Sequence, residues 1–219
     1  MSEFVVYSIP GSPYGRAVLA TFEEKGADYR FSLVPPGGKR SEPHLSRHPF
    51  GRVPAIEHNG FALYETQAIM RYADRVLPGP ALTPADPAAA ARMDQVMNVC
   101  DWYLFQGVNN VIGFHRIVAP RLTGASPDEA AIAAAMPKAH IVVRELSRLL
   151  GRKDFFAGGS VSLADILVAA HLDFLALTPE WKELSVNAAN LSAWLERMNT
   201  RASFQSTTWE RVAALAKAA

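Results

Sequence analysis

The chain has 219 residues, a length that fits one large domain or two small ones. Its 22 Lys and Arg against 21 Asp and Glu leave a formal charge of +1, which excludes both the basic footprint of a nucleic-acid binder and an acidic, self-repelling disordered chain. With 49% hydrophobic and 20% charged residues, the balance is that of a globule with a real core.

Phe4 to Ile9 is a short β-rich run closed by Pro10-Gly11 and reads as a strand. Arg16 to Lys25 carries Val18, Leu19 and Phe22 at helical spacing, with Gly26 as a stop. Tyr29 to Leu33 alternates as a second strand and is broken by Pro35-Pro36-Gly37-Gly38. Strand–helix–strand predicts a parallel βαβ unit. Pro54 to Glu57 and Phe61 to Tyr64 flank His58-Asn59-Gly60, a hairpin with Asn-Gly at its turn. A helix follows from Glu65-Thr66 to about Val76. Leu77 to Pro84 is rich in Pro and Gly, so the expected division is a domain over 1–78, a linker over 79–86 and a helical domain over 87–219. In that last part Asp86-Pro87 predicts an N-cap with proline at the first helical position, and Ser126-Pro127-Asp128-Glu129 repeats the pattern. Ser162-Leu163-Ala164-Asp165 predicts a capping box, and Asn190-Leu191 opens an amphipathic segment through Trp194, Leu195 and Met198. The expected fold is therefore a small α/β domain, βαβ then ββα, followed by an all-α domain.

Several chemistries have no sequence support. There is no phosphate loop, dinucleotide glycine fingerprint or Gly-x-Ser-x-Gly elbow. Cys100 is the sole cysteine, so neither an intrachain disulfide nor a cysteine-rich zinc site is possible, and a small buried hydrophobe is expected there. His44 and His48 are spaced as helical metal ligands, but Pro49 biases His48 away from a helix and no third ligand is near, so no metal is expected. Met1-Ser2-Glu3 does not open a signal peptide, and Ile166 to Leu177 is short of the about 20 apolar residues a bilayer needs, so a cytoplasmic chain without membrane or nucleic-acid partners is expected.

Three short patterns remain. Pro10-Gly11-Ser12 places a hydroxyl between a strand end and a helix start, where ligands gather and unpaired amides favour an anion; the plain alternative is a helix cap. Arg52-Val53-Pro54 opens the third strand, with proline either at an edge or in a cis bond. Glu65-Thr66 puts an acid and a hydroxyl at a second helix start, where capping is again the alternative.

In this order and frame, these patterns resemble the glutathione S-transferase family. Glu42-Pro43-His44-Leu45-Ser46-Arg47-His48-Pro49-Phe50-Gly51-Arg52-Val53-Pro54 resembles its phi class, as does Pro10-Gly11-Ser12 followed by Arg16 and Val18. Ser162 to Asp165 resembles the family's capping box and Leu191 to Phe204 its late helix. The resemblance implies a thioredoxin-like first domain, glutathione as co-substrate, hydrophobic electrophiles as second substrates and a homodimer. By position, Ser12 matches the serine that contacts the glutathione sulfur. Lys39 and Arg40 match basic residues for the glycine carboxylate, and Arg52 lies where the phi class has glutamine. Val53, before a cis Pro54, matches the residue whose backbone pairs with the cysteinyl part. Glu65 and Thr66 match the pair that holds the γ-glutamyl end. Lys39 stands where histidine is frequent, Thr66 replaces a serine, and His48 replaces an asparagine.

A free thiol with a pKa of about 8.5 is only a few per cent ionised at neutral pH, and the thiolate is the nucleophile. The resemblance gives Ser12 the role of a hydrogen-bond donor to that thiolate, neither base nor covalent nucleophile. Tyr7 is the rival donor, because other classes use a tyrosine near the end of the first strand; the spacing from Ser12 to Arg16 favours the serine. Trp102, Tyr103, Phe105, Phe114 and His115 cluster on the first long helix of the second domain; the resemblance implies that they and the stretch near Trp209 line the second substrate's pocket, and the plain alternative is helix core and dimer contact. Phe50 lies where some classes insert an aromatic key into the partner subunit. Two other functions fit the same site: a glutathione-dependent peroxidase and a non-catalytic carrier of apolar ligands.

Overall fold

The computed structural model of the chain describes residues 4–35 and 37–218. In chain order the elements are β1 (Phe4–Ser8), α1 (Pro13–Glu24), β2 (Tyr29–Leu33), a 3₁₀ turn (Gly38–Arg40), α2 (His44–Arg47), β3 (Ala55–His58), β4 (Phe61–Tyr64) and α3 (Thr66–Val76). Then come α4 (Pro87–Val99), a π-helical stretch (Cys100–Val118), α5 (Ala119–Thr123), α6 (Glu129–Leu150), α7 (Leu163–Ala176), α8 (Trp181–Leu184), α9 (Ala189–Asn199), α10 (Ala202–Ser206) and α11 (Trp209–Ala218).

The chain divides into two compact units: one runs to Thr83 and resumes at Thr200, the other spans Pro84–Asn199. The first holds a four-stranded mixed sheet in the order β2-β1-β3-β4. β1 and β2 are parallel, as the βαβ reading expected, and β1–β3 and β3–β4 are antiparallel. Asn59 (φ 51°) and Gly60 (φ 79°) turn the β3–β4 hairpin with two left-handed residues, the geometry that matches strand twist. Phe4, Val6 and Ser8 alternate with Val5 and Tyr7 across the two faces of β1. Phe4 packs on Phe22 at 4.8 Å between ring centroids, so the Phe4 face is the one α1 covers. α3 lies beside α1 and buries Ile69, Met70 and Ala73. α1 begins at Pro13, three residues before the periodic apolar pattern does, because Ser12 caps it and Pro13 is preset for a first helical position.

The expected all-helical domain over 87–219 differs from the observed packing at its C-terminal end. From Thr200 onward the chain packs with the sheet. Arg201 forks onto Glu24 of α1 at 2.6 and 2.7 Å, and Ser203 Oγ donates to the same carboxylate at 2.5 Å. Arg16 donates to the Phe204 carbonyl at 3.2 Å with its guanidinium 5.0 Å from that residue's ring centre. These are contacts between residues nearly two hundred positions apart, which no local pattern announces.

In the second unit Asp86 caps α4 by accepting from Ala89 N at 2.8 Å, with Pro87 at the first position. α6 is capped by Asp128, which accepts from Ala131 N at 2.9 Å; the expected Ser126-Pro127 start lies outside the helix. Asp165 accepts from Ser162 N (2.9 Å), Ser162 Oγ (2.6 Å), Phe156 N (2.9 Å) and Trp194 Nε1 (3.2 Å), so the predicted capping box is tied to two further elements. The π-helical stretch is interrupted at Gln106 (ψ 110°) and Gly107 (φ 85°), where Lys138 donates to the Gln106 carbonyl. No helix among the described residues is long and apolar enough to cross a membrane.

Candidate active site

The strand register decides which segments meet. Ser8 at the end of β1 pairs with Leu33 at the end of β2. Tyr7 pairs with Ala55 at the start of β3, and Ala55 with Tyr64 at the end of β4. The connections leaving β1, β2 and β4 and the one entering β3 therefore share one end of the sheet. They carry Ser12; Lys39, Arg40, Arg52, Val53 and Pro54; and Glu65 and Thr66. The sheet thus brings to one end the connections that carry the three short patterns.

Ser12 has extended backbone (φ −74°, ψ 117°), and its Oγ accepts from Gly15 N at 3.1 Å. The capping role is real, but it uses one lone pair and leaves the hydroxyl proton available. Gly15 is required by proximity: a Cβ there would meet Ser8 Oγ at 2.2 Å, which sets the mouth of α1 directly on the end of β1. The Trp209 ring lies against Gly11, within 2.5 Å of where a Cβ would stand, so α11 covers the residue before Ser12.

Lys39 and Arg40 lie exposed in the Gly38–Arg40 turn. Gly51 packs on the Lys39 carbonyl, 2.8 Å from where its Cβ would be, which draws the turn against the segment holding Arg52. No ion pair among the described residues neutralises Lys39, Arg40 or Arg52. The Val53–Pro54 peptide is cis, as the resemblance implied. His44, buried in α2, shares a hydrogen between its Nε2 and the Arg52 carbonyl at 2.7 Å. His48 is also buried, with its ring tilted against that of Tyr64 at 4.8 Å between centroids. Burial pushes the His48 imidazole pKa down, Glu65 opposes that, and His44 and Arg52 add to it. Among the described residues no group of three or more His, Cys, Asp or Glu is arranged to hold a metal ion.

Glu65 does not cap α3 with its side chain. Its backbone sits at φ 73°, ψ 115°, a region a side-chain-bearing residue enters at a cost of about 1–3 kcal/mol. The carboxylate is exposed at the sheet end, and Thr66, first residue of α3, is buried beside it. Sequence reasoning saw the acid but not its backbone strain or the His44 bond; neither has a local signal.

Tyr7 lies on the sheet face opposite α1. Its hydroxyl donates to Glu57 at 3.4 Å, and Arg47 covers its ring at 4.1 Å. Cys100 is fully buried, and that burial raises its thiol pKa well above the ordinary range. Trp102, Tyr103 and Phe114 are 66%, 55% and 44% exposed, so they are not core. Phe50 is 70% exposed, ringed by His48 and Tyr64.

Comparison with known proteins gives the same answer from a separate direction. Residues 6–81 match the family model of the glutathione S-transferase N-terminal domain, and 111–202 that of its C-terminal domain. The chain is 32% identical over 198 residues to glutathione S-transferase F14 of Arabidopsis thaliana (87% of this chain, 77% of that protein). It is 33% identical over 192 residues to a glutathione S-transferase of Hyoscyamus muticus (84% and 87%). Among solved structures, apo glutathione S-transferase III superposes with a TM-score of 0.83 at 28% identity, covering 97% of each chain. Glutathione S-transferase I bound with lactoylglutathione gives 0.82 at 27% identity, covering 97% of this chain and 99% of that one. The chain belongs to the glutathione S-transferase family and resembles its phi class.

Proposed function

We propose that this chain activates glutathione at the end of its sheet and transfers it to hydrophobic electrophiles, with Ser12 as the hydrogen-bond donor to the thiolate. The observation that carries the reading is the state of the two candidate hydroxyls. Ser12 keeps its proton uncommitted at the mouth of α1, whereas Tyr7 lies on the other sheet face and donates to Glu57. The surrounding charges complement the tripeptide: Lys39, Arg40 and Arg52 suit its two carboxylates, and Glu65 with the first amides of α3 suits its amino-acid end. Val53 supplies backbone for the cysteinyl part, and Pro54 fixes where that backbone turns into β3.

A hydrogen bond to a charged group contributes about 1.5–3 kcal/mol, which lowers a thiol pKa by roughly one to two at about 1.4 kcal/mol each. The mouth of α1 adds up to about 1 kcal/mol. Together these ionise most of a bound thiol at neutral pH. The exposed Trp102, Tyr103 and Phe114 supply apolar surface for a second substrate. The exposed Phe50 is the contact to a second copy in a homodimer, and a cytoplasmic, detoxifying role accompanies this reading.

The test is an ultraviolet titration of bound glutathione for thiolate absorbance. Ser12→Ala is expected to bind the tripeptide but to lose most of that absorbance at neutral pH, while Tyr7→Phe keeps it. A Ser12→Ala protein that turns over aryl halides normally overturns the assignment.

A further inference from the structure

Far from Ser12 the first unit holds a cavity of about 760 Å³ between the C-terminal end of α1, the edge strand β2 and helices α10 and α11. Its volume lies within the roughly 300–1,000 Å³ range of small-molecule sites. It lies at the opposite end of α1 from Ser12, which is about 18 Å for 12 residues at 1.5 Å each. From α11 the cavity is lined by Arg211, Ala214 and Leu215, and Ala214 leaves open the space that a larger side chain there would take, while Val212 is buried.

Its walls differ in chemistry. Tyr29, Phe31 and Leu215 form the apolar part, and Leu215 stays 40% exposed there. Glu23, Asp28 and Arg211 also line it, so the lining carries two carboxylates against one guanidinium. The wall that holds Glu23 is also the C-terminus of α1, where the Thr21, Phe22 and Glu23 carbonyls accept from the Lys25, Ala27 and Gly26 amides and the helix dipole adds negative partial charge. No basic residue lies in the last turn of that helix. Glu24 beside it is taken by Arg201 and Ser203. Lys25 is turned away and buried against Asp74 and Pro80. Glu23 accepts from the Tyr29 hydroxyl at 2.7 Å. Burial first, then the Glu23 bond, hold that phenol well above its ordinary range, so it is a neutral donor that cancels no charge.

An apolar slot with an electronegative end fits a particular occupant. We infer that this cavity is a second ligand site, distinct from the glutathione site, and that it takes an aromatic ammonium compound. The ring lies between Leu215, Phe31 and Tyr29, and the ammonium meets Glu23 and Asp28 at the α1 terminus. The Arg211 guanidinium is planar and lies parallel to a ring face without displacing it. An aromatic anion would place its charge against two carboxylates and the negative end of the α1 dipole.

The inference does not depend on Ser12 or on glutathione chemistry, and its test is kept separate from both. The full-length chain is titrated calorimetrically with 2-naphthylmethylammonium and with 2-naphthalenesulfonate, each with and without saturating glutathione. The ammonium is expected to bind at least tenfold more tightly than the sulfonate, with an affinity that glutathione does not change. Ala214→Trp, which fills the slot from α11, is expected to weaken the ammonium at least tenfold. Glu23→Gln with Asp28→Asn is expected to weaken it at least fivefold and to remove the preference over the sulfonate, since glutamine still accepts from Tyr29. Should Ala214→Trp not fold, the double variant decides. Equal binding of the two probes, no binding of the ammonium, competition by glutathione, or an affinity unchanged in the folded variants overturns the inference.

Discussion

His44 Nε2 lies 2.7 Å from the Arg52 carbonyl oxygen, and the imidazole is buried. A carbonyl only accepts, so the ring carries its proton on Nε2 and donates it. Nδ1 is left as an acceptor, and it has no hydrogen-bond partner. The bond ties α2 to the residue just before Val53, and it holds the backbone proposed above to pair with the tripeptide. His44→Ala strands the Arg52 carbonyl at a cost of about 1–3 kcal/mol. The expected result is a KM for glutathione raised about tenfold with kcat changed far less, because in the proposed site the loop positions the substrate and does no chemistry. His44→Gln, which can still donate, is expected to recover part of the loss. Steady-state kinetics with glutathione as the varied substrate checks both.

Glu65 illustrates the opposite bargain between stability and function. Its φ of 73° suits glycine, and its side chain makes no cap bond that would repay the strain. Glu65→Gly is expected to raise the melting temperature by a few degrees, on strain relief of about 1 kcal/mol. The same change removes the carboxylate assigned to the γ-glutamyl end and is expected to weaken glutathione at least tenfold. Thermal denaturation and glutathione titration of one variant read both effects. A variant that binds glutathione normally removes Glu65 from the site.

The residues that could be read in advance are those whose causes are local. Asn59-Gly60 predicts its own turn, Ser12 and Asp86 their own caps, and the alternation of Tyr29 to Leu33 its own strand. The convergence of Ser12, Val53 and Glu65 needed the strand register, because each lies on a different connection. The strain at Glu65 and the bond from His44 to Arg52 have no pattern of their own; they are set by where a loop runs once the sheet has formed. The same holds for the return of α10 to α1 and for the break at Gly107, which a helical apolar rhythm runs straight through.

Arg201 and Glu24 show what the returning segment contributes. Burial alone would raise the Glu24 carboxyl pKa, but the hydrogen bonds from Arg201 and Ser203 outweigh it, and the net shift is downward. A carboxyl whose folded pKa is depressed adds stability above its ordinary pKa of about 4.5, and that stability is lost as pH falls through the lower folded value. Arg201→Ala leaves the half-buried charge without its fork and is expected to cost about 2 kcal/mol at neutral pH. Below about pH 4 the difference between wild type and variant is expected to shrink as Glu24 protonates. Urea denaturation at neutral and acidic pH measures it; a gap that does not narrow in acid would show that the loss comes from packing and not from charge.

Asp165 ties together three parts of the second unit. It is fully buried, and burial raises its pKa even though four donors face it. Those donors come from three places: Ser162 at the start of α7, Phe156 in the preceding loop and Trp194 in α9. Asp165→Ala would strand two backbone N–H groups and one indole N–H in a dry interior and leave a void beneath Trp194. The expected loss is about 3–5 kcal/mol, or a melting temperature lower by roughly 10 °C. Asp165→Asn preserves the volume but offers one acceptor oxygen where two are used, and turns N–H groups towards the Ser162 amide. It is expected to recover less than half of the alanine loss. Because the proposed glutathione site lies in the other unit, calorimetric melting of both variants should fall while tripeptide binding by the folded fraction persists. A folded Asp165→Ala chain with wild-type melting would mean that the helix start is held by packing alone.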